Sequence, residues 1–381
     1  MKNSYDLVIV GAGVMGCATA YHLANRGMTN ILVVDKNTIS SGATGRCGGG
    51  IRQQWGAEVN IKLAMDSRRE FATMQEEFGW DIEYRQGGYL ILAFTGPEAA
   101  RYKTNVELQR SLGLSVELLD AREAKEIVPE LNTGRVLAAT FCQTDGSANP
   151  FLVTHAYADA ARKLGVEVSI CNEVTGIECS KGRVVAVQTR SGKVCTPRVF
   201  NAAGGAAGTI GAMAGVDIPV EPYRREILVT EQLERFFDPM IISFDYGIYF
   251  RQAACGAVMG GFGDPDQRPG PDVTSSLEFL QTMAGKLVDL MPCLSAVRVV
   301  RQWAGLYCMS PDAQPIIGAV SEPEGYYQAI GFSGHGFMIA PALAALMSEL
   351  ITEDRTSRSI EELTLQRFSD KSRLHTEKSV V

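Results

Sequence analysis

Clustered metal ligands are missing from this sequence. None of its nine cysteines (17, 47, 142, 171, 179, 195, 255, 293 and 308) forms a C-x-x-C pair, and its four histidines are dispersed. Zinc and iron–sulfur sites need grouped thiolates or imidazoles, so neither is expected. An odd, widely spaced cysteine set also argues against a disulfide framework and for a reducing compartment. There is no excess of basic charge. With 36 Lys and Arg against 43 Asp and Glu the net charge is −7, which disfavours nucleic acid or an anionic membrane as the main partner. No internal repeat or low-complexity tract is present. No run is expected to reach the roughly 18 to 20 apolar residues that cross a bilayer. Met1 to Tyr5 leads straight into a strand pattern and leaves no room for a secretory signal, so cytoplasmic residence is the expectation.

What is present begins as a β-α-β unit. Asp6 to Val10 (DLVIV) is a continuous apolar run, as in a strand buried on both faces of a parallel sheet. A glycine turn and an alanine-rich amphipathic helix to about Asn25 follow, closed by Gly27, and Ile31 to Val34 is the second strand. Helices are expected over 57–80, 97–127, 151–164, 273–290 and 341–352. Strands are expected over 84–94, 166–171, 173–178, 183–189, 194–200, 227–230, 247–251, 257–261 and 326–330, with a turn opening at Gly305 and a peripheral polar tail beyond Arg355. The chain is long enough for two domains. The fold class is α/β: a Rossmann-like cofactor domain of discontinuous segments (1–84, 141–219 and 301–381) with an α+β substrate domain (85–140 and 220–300) carrying a mostly antiparallel sheet.

The turn Gly11-Ala12-Gly13-Val14-Met15-Gly16 matches G-x-G-x-x-G, follows a buried strand and opens a helix. Such glycines make a tight turn, let backbone approach a pyrophosphate and let helix pack on strand. The helix N-terminus then offers free N–H groups and the positive end of its dipole. Asp35 at the end of the second strand suits a ribose hydroxyl. NAD and FAD share this fingerprint. The N-terminal location and the glycine-rich segments Gly42-Ala43-Thr44-Gly45-Arg46 and Gly48-Gly49-Gly50 tip the balance to FAD, because an NAD enzyme would have a helix there. Three consecutive glycines imply backbone very close to something flat or anionic.

With these segments in view, the sequence resembles the FAD-dependent amine and amino-acid oxidoreductases that include D-amino-acid oxidase, glycine oxidase and sarcosine oxidase. The likeness runs from Tyr5 to about Thr352 on DLVIVGAGVMG, SSGATGRCGGGIRQ, NAAGGAA (201–207), WAGLY (303–307), PDAQPIIG (311–318) and GFSGHGF (331–337). The GRCGGGIRQQ stretch is most similar to the β-type subunits of heteromeric sarcosine oxidase, proline and hydroxyproline dehydrogenases and hydrogen cyanide synthase. The resemblance implies adenosine diphosphate on Gly11 to Gly16, Asp35 and Lys36, with Val174, Ala203, Gly204, Gly42, Ala43 and Thr44 also in contact. Gly48, Gly49 and Gly50 would lie beside the isoalloxazine, and Gly334, His335, Gly336, Phe337 and Met338 near its pyrimidine edge, with Gly305 adjacent.

For the substrate, the resemblance implies Arg52 as the carboxylate clamp, since a guanidinium meets a carboxylate with two prongs. Tyr249 matches a tyrosine presented over the substrate, and Arg251 is a possible second cation that more often faces solvent. Tyr307 stands where D-amino-acid oxidases carry their carboxylate-binding arginine. His335 is a flavin-binding or structural residue rather than a base. Three departures follow. The position of the flavin-linking cysteine is Gly305, with Cys308 three residues off, so FAD is expected to be non-covalent. The oxygen-activating lysine and an active-site histidine correspond to Val258 and Phe262, so slow reaction with oxygen is expected. The expected activity is hydride transfer from the C–N carbon of a small amino acid or secondary amine to flavin N5, giving an imine, with electrons passed to a partner subunit or another acceptor. A peroxide-forming oxidase and a flavin-carrying subunit without turnover are the alternatives.

Overall fold

The structure is a computed structural model, and it describes residues 1–264, 266–369 and 374–380. Its first sheet has six strands in the order Ile316–Ala319, Tyr326–Ile330, Val199–Asn201, Leu7–Val10, Ile31–Val34 and Glu167–Ser169. All neighbours run parallel except the first pair. Every residue of Leu7–Val10 and Ile31–Val34 is buried, because layers cover both faces of this sheet. On one face lie the helices Val14–Asn25, Pro150–Lys163 and Gly336–Glu353, packed together with Glu58–Phe78. On the other lie the short helix Ala207–Met213 and a three-stranded antiparallel sheet, Val174–Ser180, Arg183–Thr189 and Gly192–Cys195.

The second sheet has eight strands in the order Val299–Met309, Glu221–Thr230, Val258–Phe262, Ile248–Gln252, Met240–Ser243, Tyr89–Ala93, Ala138–Cys142 and Glu117–Leu119. Its pairings are antiparallel except that between Met240–Ser243 and Tyr89–Ala93. The two-residue period of a strand sorts its side chains cleanly. Leu90, Leu92, Phe250 and Val258 enter the core under the helix Leu277–Leu290, while Tyr89, Ile91, Met240, Ile242 and Tyr249 group on the opposite face. That opposite face looks onto the site described below.

Several local expectations are corrected. The span 97–127 is two helices, Gly96–Ser111 and Ala121–Ile127, separated by the strand Glu117–Leu119. Gly113 turns the chain at φ +89°, and Asp120 starts the second helix with a reciprocal cap to Glu123, a local signal that outweighs the charged periodicity. Gly305 opens no turn. It lies inside Val299–Met309, a strand that crosses the 300/301 division and is held by ten-residue pairing to Glu221–Thr230. The last long helix starts at Gly336, with Pro341 inside its second turn, where the proline gives no N–H to the Phe337 carbonyl one turn back. The helix Val14–Asn25 is buried nearly all round rather than on one face. Gly336–Glu353 does have the length and hydropathy of a bilayer span, contrary to expectation, but it is 61% buried between other helices.

The tail beyond Arg355 is not peripheral. Arg367 is 1% exposed and pairs with Asp312 at 2.8 Å, and Glu377 and Ser379 are buried. A polar sequence carries no signal for this, because the burial is compensated by ion pairing and hydrogen bonds rather than by apolar periodicity.

Candidate active site

The G-x-G-x-x-G turn is shaped by backbone proximity. Gly11 has φ +112° and donates its N–H to the Val34 carbonyl at 2.8 Å, and a Cβ there would lie 2.4 Å from the Ala202 carbonyl oxygen. Gly13, at the N-cap of the helix Val14–Asn25, has no side chain to cap it, and the Val14 N–H donates instead to Thr44 Oγ1 at 3.2 Å. Asp35 accepts from the Ala12 N–H at 2.8 Å and the Asn37 N–H at 2.7 Å. Its carboxylate thus ties the turn to the second strand, and its spare lone pairs can still accept from a hydroxyl.

These elements wall a cavity of about 320 Å³. Gly11, Gly13, Val14, Met15, Asp35 and Lys36 line one end, joined by Gly42, Ala43, Thr44, Val174, Ala203 and Gly204, while Tyr307, Gly334, Gly336 and Phe337 line the other. Ala12 and Gly16 stand behind this wall. Ala12 acts through its N–H on Asp35, and Gly16 lets the helix pack against the Gly11 carbonyl. Gly305 is not among the described residues that line this cavity. Its position is filled by the Arg46 stem, 2.9 Å from where a Cβ would sit. A helix start with no side chain at its N-cap, a bare glycine turn and an acid in contact suit a dinucleotide cofactor such as FAD.

A smaller chamber of about 70 Å³ adjoins this cavity, and Cys47, Tyr307, Gly334 and Phe337 line both. It is closed by Gly48, Gly49, Gly50, Arg52, Trp55, Tyr89, Tyr249, His335, Met338, Ser379 and Val380. The three glycines therefore face this chamber, and their bareness answers protein neighbours: a Cβ on Gly50 would sit 1.7 Å from the Tyr89 hydroxyl oxygen. Gly334, at φ +96°, lies under the Tyr307 ring, 2.3 Å from a would-be Cβ.

Arg52 is 3% exposed. Its guanidinium carbon lies 3.8 Å from the Trp55 ring centre and 4.9 Å from that of Phe244, and Nη2 donates to the Ser379 carbonyl at 2.6 Å. Nε and Nη1 have no partner among the described residues. Burial lowers its pKa, with Tyr89 and Glu377 opposing. His335 is 1% exposed, its ring 4.8 Å from Trp55, and neither ring nitrogen has a partner among the described residues. Burial, and secondarily Arg52, pull its pKa down to about 3, so the imidazole is neutral. Burial likewise raises Tyr249 and Tyr307, keeping both phenols protonated.

Other expectations shift. Arg251 is half-buried rather than solvent-facing: its Nε donates to the Gly48 carbonyl at 2.6 Å, steadying the glycine loop. Val258 is fully buried in the core under Leu277–Leu290, and Phe262 stacks on Phe279 at 5.4 Å, so neither borders the chambers. Strand alternation gives the site-facing position to Gly261, whose Cβ would lie 3.1 Å from the Tyr249 hydroxyl. Sequence reading missed Trp55, Tyr89, Ser379 and Asp145. The fully buried Asp145 accepts from the Gln53 N–H and from the Gln53 and Gln54 side chains, and burial lifts its pKa to about 6. Spacing alone could have flagged only Trp55, three residues after Arg52.

The fold and the paired chambers define a dinucleotide-cofactor oxidoreductase. The chain belongs to the DAO family of FAD dependent oxidoreductases, whose model matches residues 6–350. It is similar to the protein named sarcosine oxidase subunit beta of Rhizobium meliloti, at 30% identity over 96% of this chain and 89% of that one. The protein of the same name from Arthrobacter is 28% identical over 96% and 92%. Among solved structures, L-proline dehydrogenase from P. horikoshii superposes with a TM-score of 0.93 at 37% identity, covering 97% of this chain and 99% of the other. Glycine oxidase from Geobacillus kaustophilus matches in fold, with a TM-score of 0.89 at 24% identity over 96% and 99%. The chain is an FAD-dependent oxidoreductase.

Proposed function

We propose that this chain oxidises the C–N bond of a small amino acid or secondary amine and passes the electrons to a partner subunit. The observation that carries this is the shared wall: a buried arginine with one of its three nitrogens partnered sits in a small chamber that opens past Tyr307 and Gly334 onto the cofactor cavity. In this reading Gly11, Gly13, Asp35, Lys36, Val174 and Ala203 hold the adenosine end of FAD, and Gly334 to Met338 with Gly48 to Gly50 border its ring. Bound FAD supplies an acceptor for the hydride on the carbon next to nitrogen.

The chain's residues do the rest. Arg52 orients a carboxylate through its unpartnered donors. Tyr249 and Tyr307, kept neutral by burial, close the chamber and offer hydroxyls without adding charge. His335 stays uncharged and so does not repel the ammonium form of an amine. Trp55, Tyr89 and Met240 exclude water, which strengthens the ion pair at Arg52. Cys47 and Cys308 border the cavity, but burial pushes both thiols up to about 11, away from the thiolate that covalent attachment needs. This supports the non-covalent FAD of the present reading.

Onward transfer is supported by relatives that are named as subunits. It is supported too by charge: among the described residues that line the inner chamber Arg52 is the one cation, and it is already engaged with Ser379. Nine cysteines free of disulfides fit a cytoplasmic setting. The test is anaerobic titration of the yellow holoprotein with proline, hydroxyproline, sarcosine and glycine, followed by mixing with air. Bleaching by at least one of them and slow recovery in air are expected. An FAD-loaded chain that no amino acid or amine bleaches would refute the reading, and fast recovery would refute the acceptor assignment.

A further inference from the structure

We propose that the segment Leu374–Val380 is a displaceable strap whose Ser379 carbonyl holds the place of the substrate carboxylate on Arg52. The proposal rests on Arg52 being the carboxylate anchor, and it adds a competitor to that site. The Ser379 carbonyl is the acceptor of Arg52 Nη2 at 2.6 Å, in a fully buried contact. A neutral carbonyl is a weaker partner for a guanidinium than a carboxylate, which makes shorter and roughly twice as strong hydrogen bonds, often two at once. The present arrangement leaves Nε and Nη1 buried without partners among the described residues, a costly state that a two-oxygen ligand would relieve.

The strap is moored by polar contacts. Within the strap the Ser379 N–H donates to Glu377 Oε1 at 2.9 Å, and the Glu377 N–H ties the strap to the Asp312 carbonyl at 3.0 Å. Asn60 Nδ2 donates to Glu377 Oε2 at 3.1 Å and to Gln314 Oε1 at 3.0 Å. Asp312 is itself held by Arg367. Such moorings can be exchanged for water when the segment lifts, unlike a buried apolar anchor.

Position gives the strap a second consequence. Ser379 belongs to the wall of the inner chamber and also to that of an outer cleft of about 600 Å³, lined by Ala57, Arg101, Asn105, Asp312 and His375. Lifting the segment would join the two and open a path for a polar ligand to Arg52.

The test compares the FAD-loaded full chain with one ending at residue 373, by calorimetric titration of acetate with acetamide as the neutral control. The shortened chain is expected to bind acetate about tenfold more tightly, since a site occupied by its own strap loses apparent affinity in proportion to the unoccupied fraction. Acetamide, a neutral carbonyl ligand, should bind far more weakly than acetate to both chains. In the full chain, acetate should speed tryptic cleavage after Lys378. Should the shortened chain fail to fold, Glu377→Ala in the full chain releases the mooring and should shift acetate affinity in the same direction. Unchanged or weaker acetate binding in whichever variant folds, or protection of Lys378 by acetate, would overturn the strap. Arg52→Gln separates the two ideas: acetate binding that survives this change refutes the anchor, and with it the functional reading, whatever the strap does.

Discussion

Replacing Gly11 by alanine tests the physical basis of the cofactor cavity. The substitution forces an L-residue to φ +112°, which costs on the order of 1–3 kcal/mol. Its Cβ would also lie 2.4 Å from the Ala202 carbonyl oxygen. Relief requires the two strands to part where the Ala202 N–H bonds the Val10 carbonyl at 2.9 Å, and losing that hydrogen bond costs roughly another 1 kcal/mol. A total of about 2–4 kcal/mol is a large fraction of a typical domain's 5–15 kcal/mol. Gly13→Ala is the matched control: its Cβ meets only Thr44 Oγ1, at 3.1 Å, and a side chain can yield. Chemical denaturation of the flavin-free proteins should show Gly11→Ala destabilised by that amount and Gly13→Ala changed by less than about 1 kcal/mol. Flavin absorbance of the purified proteins should be lost in Gly11→Ala. Equal stability of the two variants, or full FAD content in Gly11→Ala, would refute the account of this turn.

Other consequences are equally direct. Arg52→Lys keeps the charge but loses the second prong, so KM for the amino-acid substrate should rise about 10- to 100-fold in steady-state assays, following roughly 1.5–3 kcal/mol for charged hydrogen bonds. His335 is held neutral down to about pH 3 in the folded protein, whereas an unfolded chain protonates near 6.5. Its contribution is therefore intact above pH 6.5 and is lost as pH falls toward 3, by up to about 1.4 kcal/mol per pH unit. In urea melts, His335→Gln should flatten that acid slope. Gly334→Ala drives a Cβ into the Tyr307 ring, and should lower both flavin content and turnover, while Tyr307→Phe leaves flavin content unchanged. Acid precipitation of the wild type should leave the yellow chromophore in the supernatant, and Cys47→Ser and Cys308→Ser should bind FAD normally.

What the sequence by itself determined is local and periodic. The buried runs at Leu7–Val10 and Ile31–Val34 and the glycine turn between them announce a parallel-sheet cofactor fold, because a strand covered on both faces must be apolar throughout. Arg52, Tyr249, Tyr307 and His335 were also legible as a group by resemblance, and the tertiary structure brings all four around one chamber. Only the tertiary structure decided what lies opposite each of them. Strand alternation sends Val258 into the core and turns Gly261 toward Tyr249, a register that depends on pairing with distant strands. Gly305, expected in a turn, is bare because Arg46 crosses it, and Gly50 because of the Tyr89 hydroxyl. The segment at Ser379 reaches Arg52 across 327 positions through a hydrogen bond to its backbone carbonyl. Such contacts leave no periodic trace in a polar stretch, since their partners are chosen by the folded chain and not by neighbours in sequence.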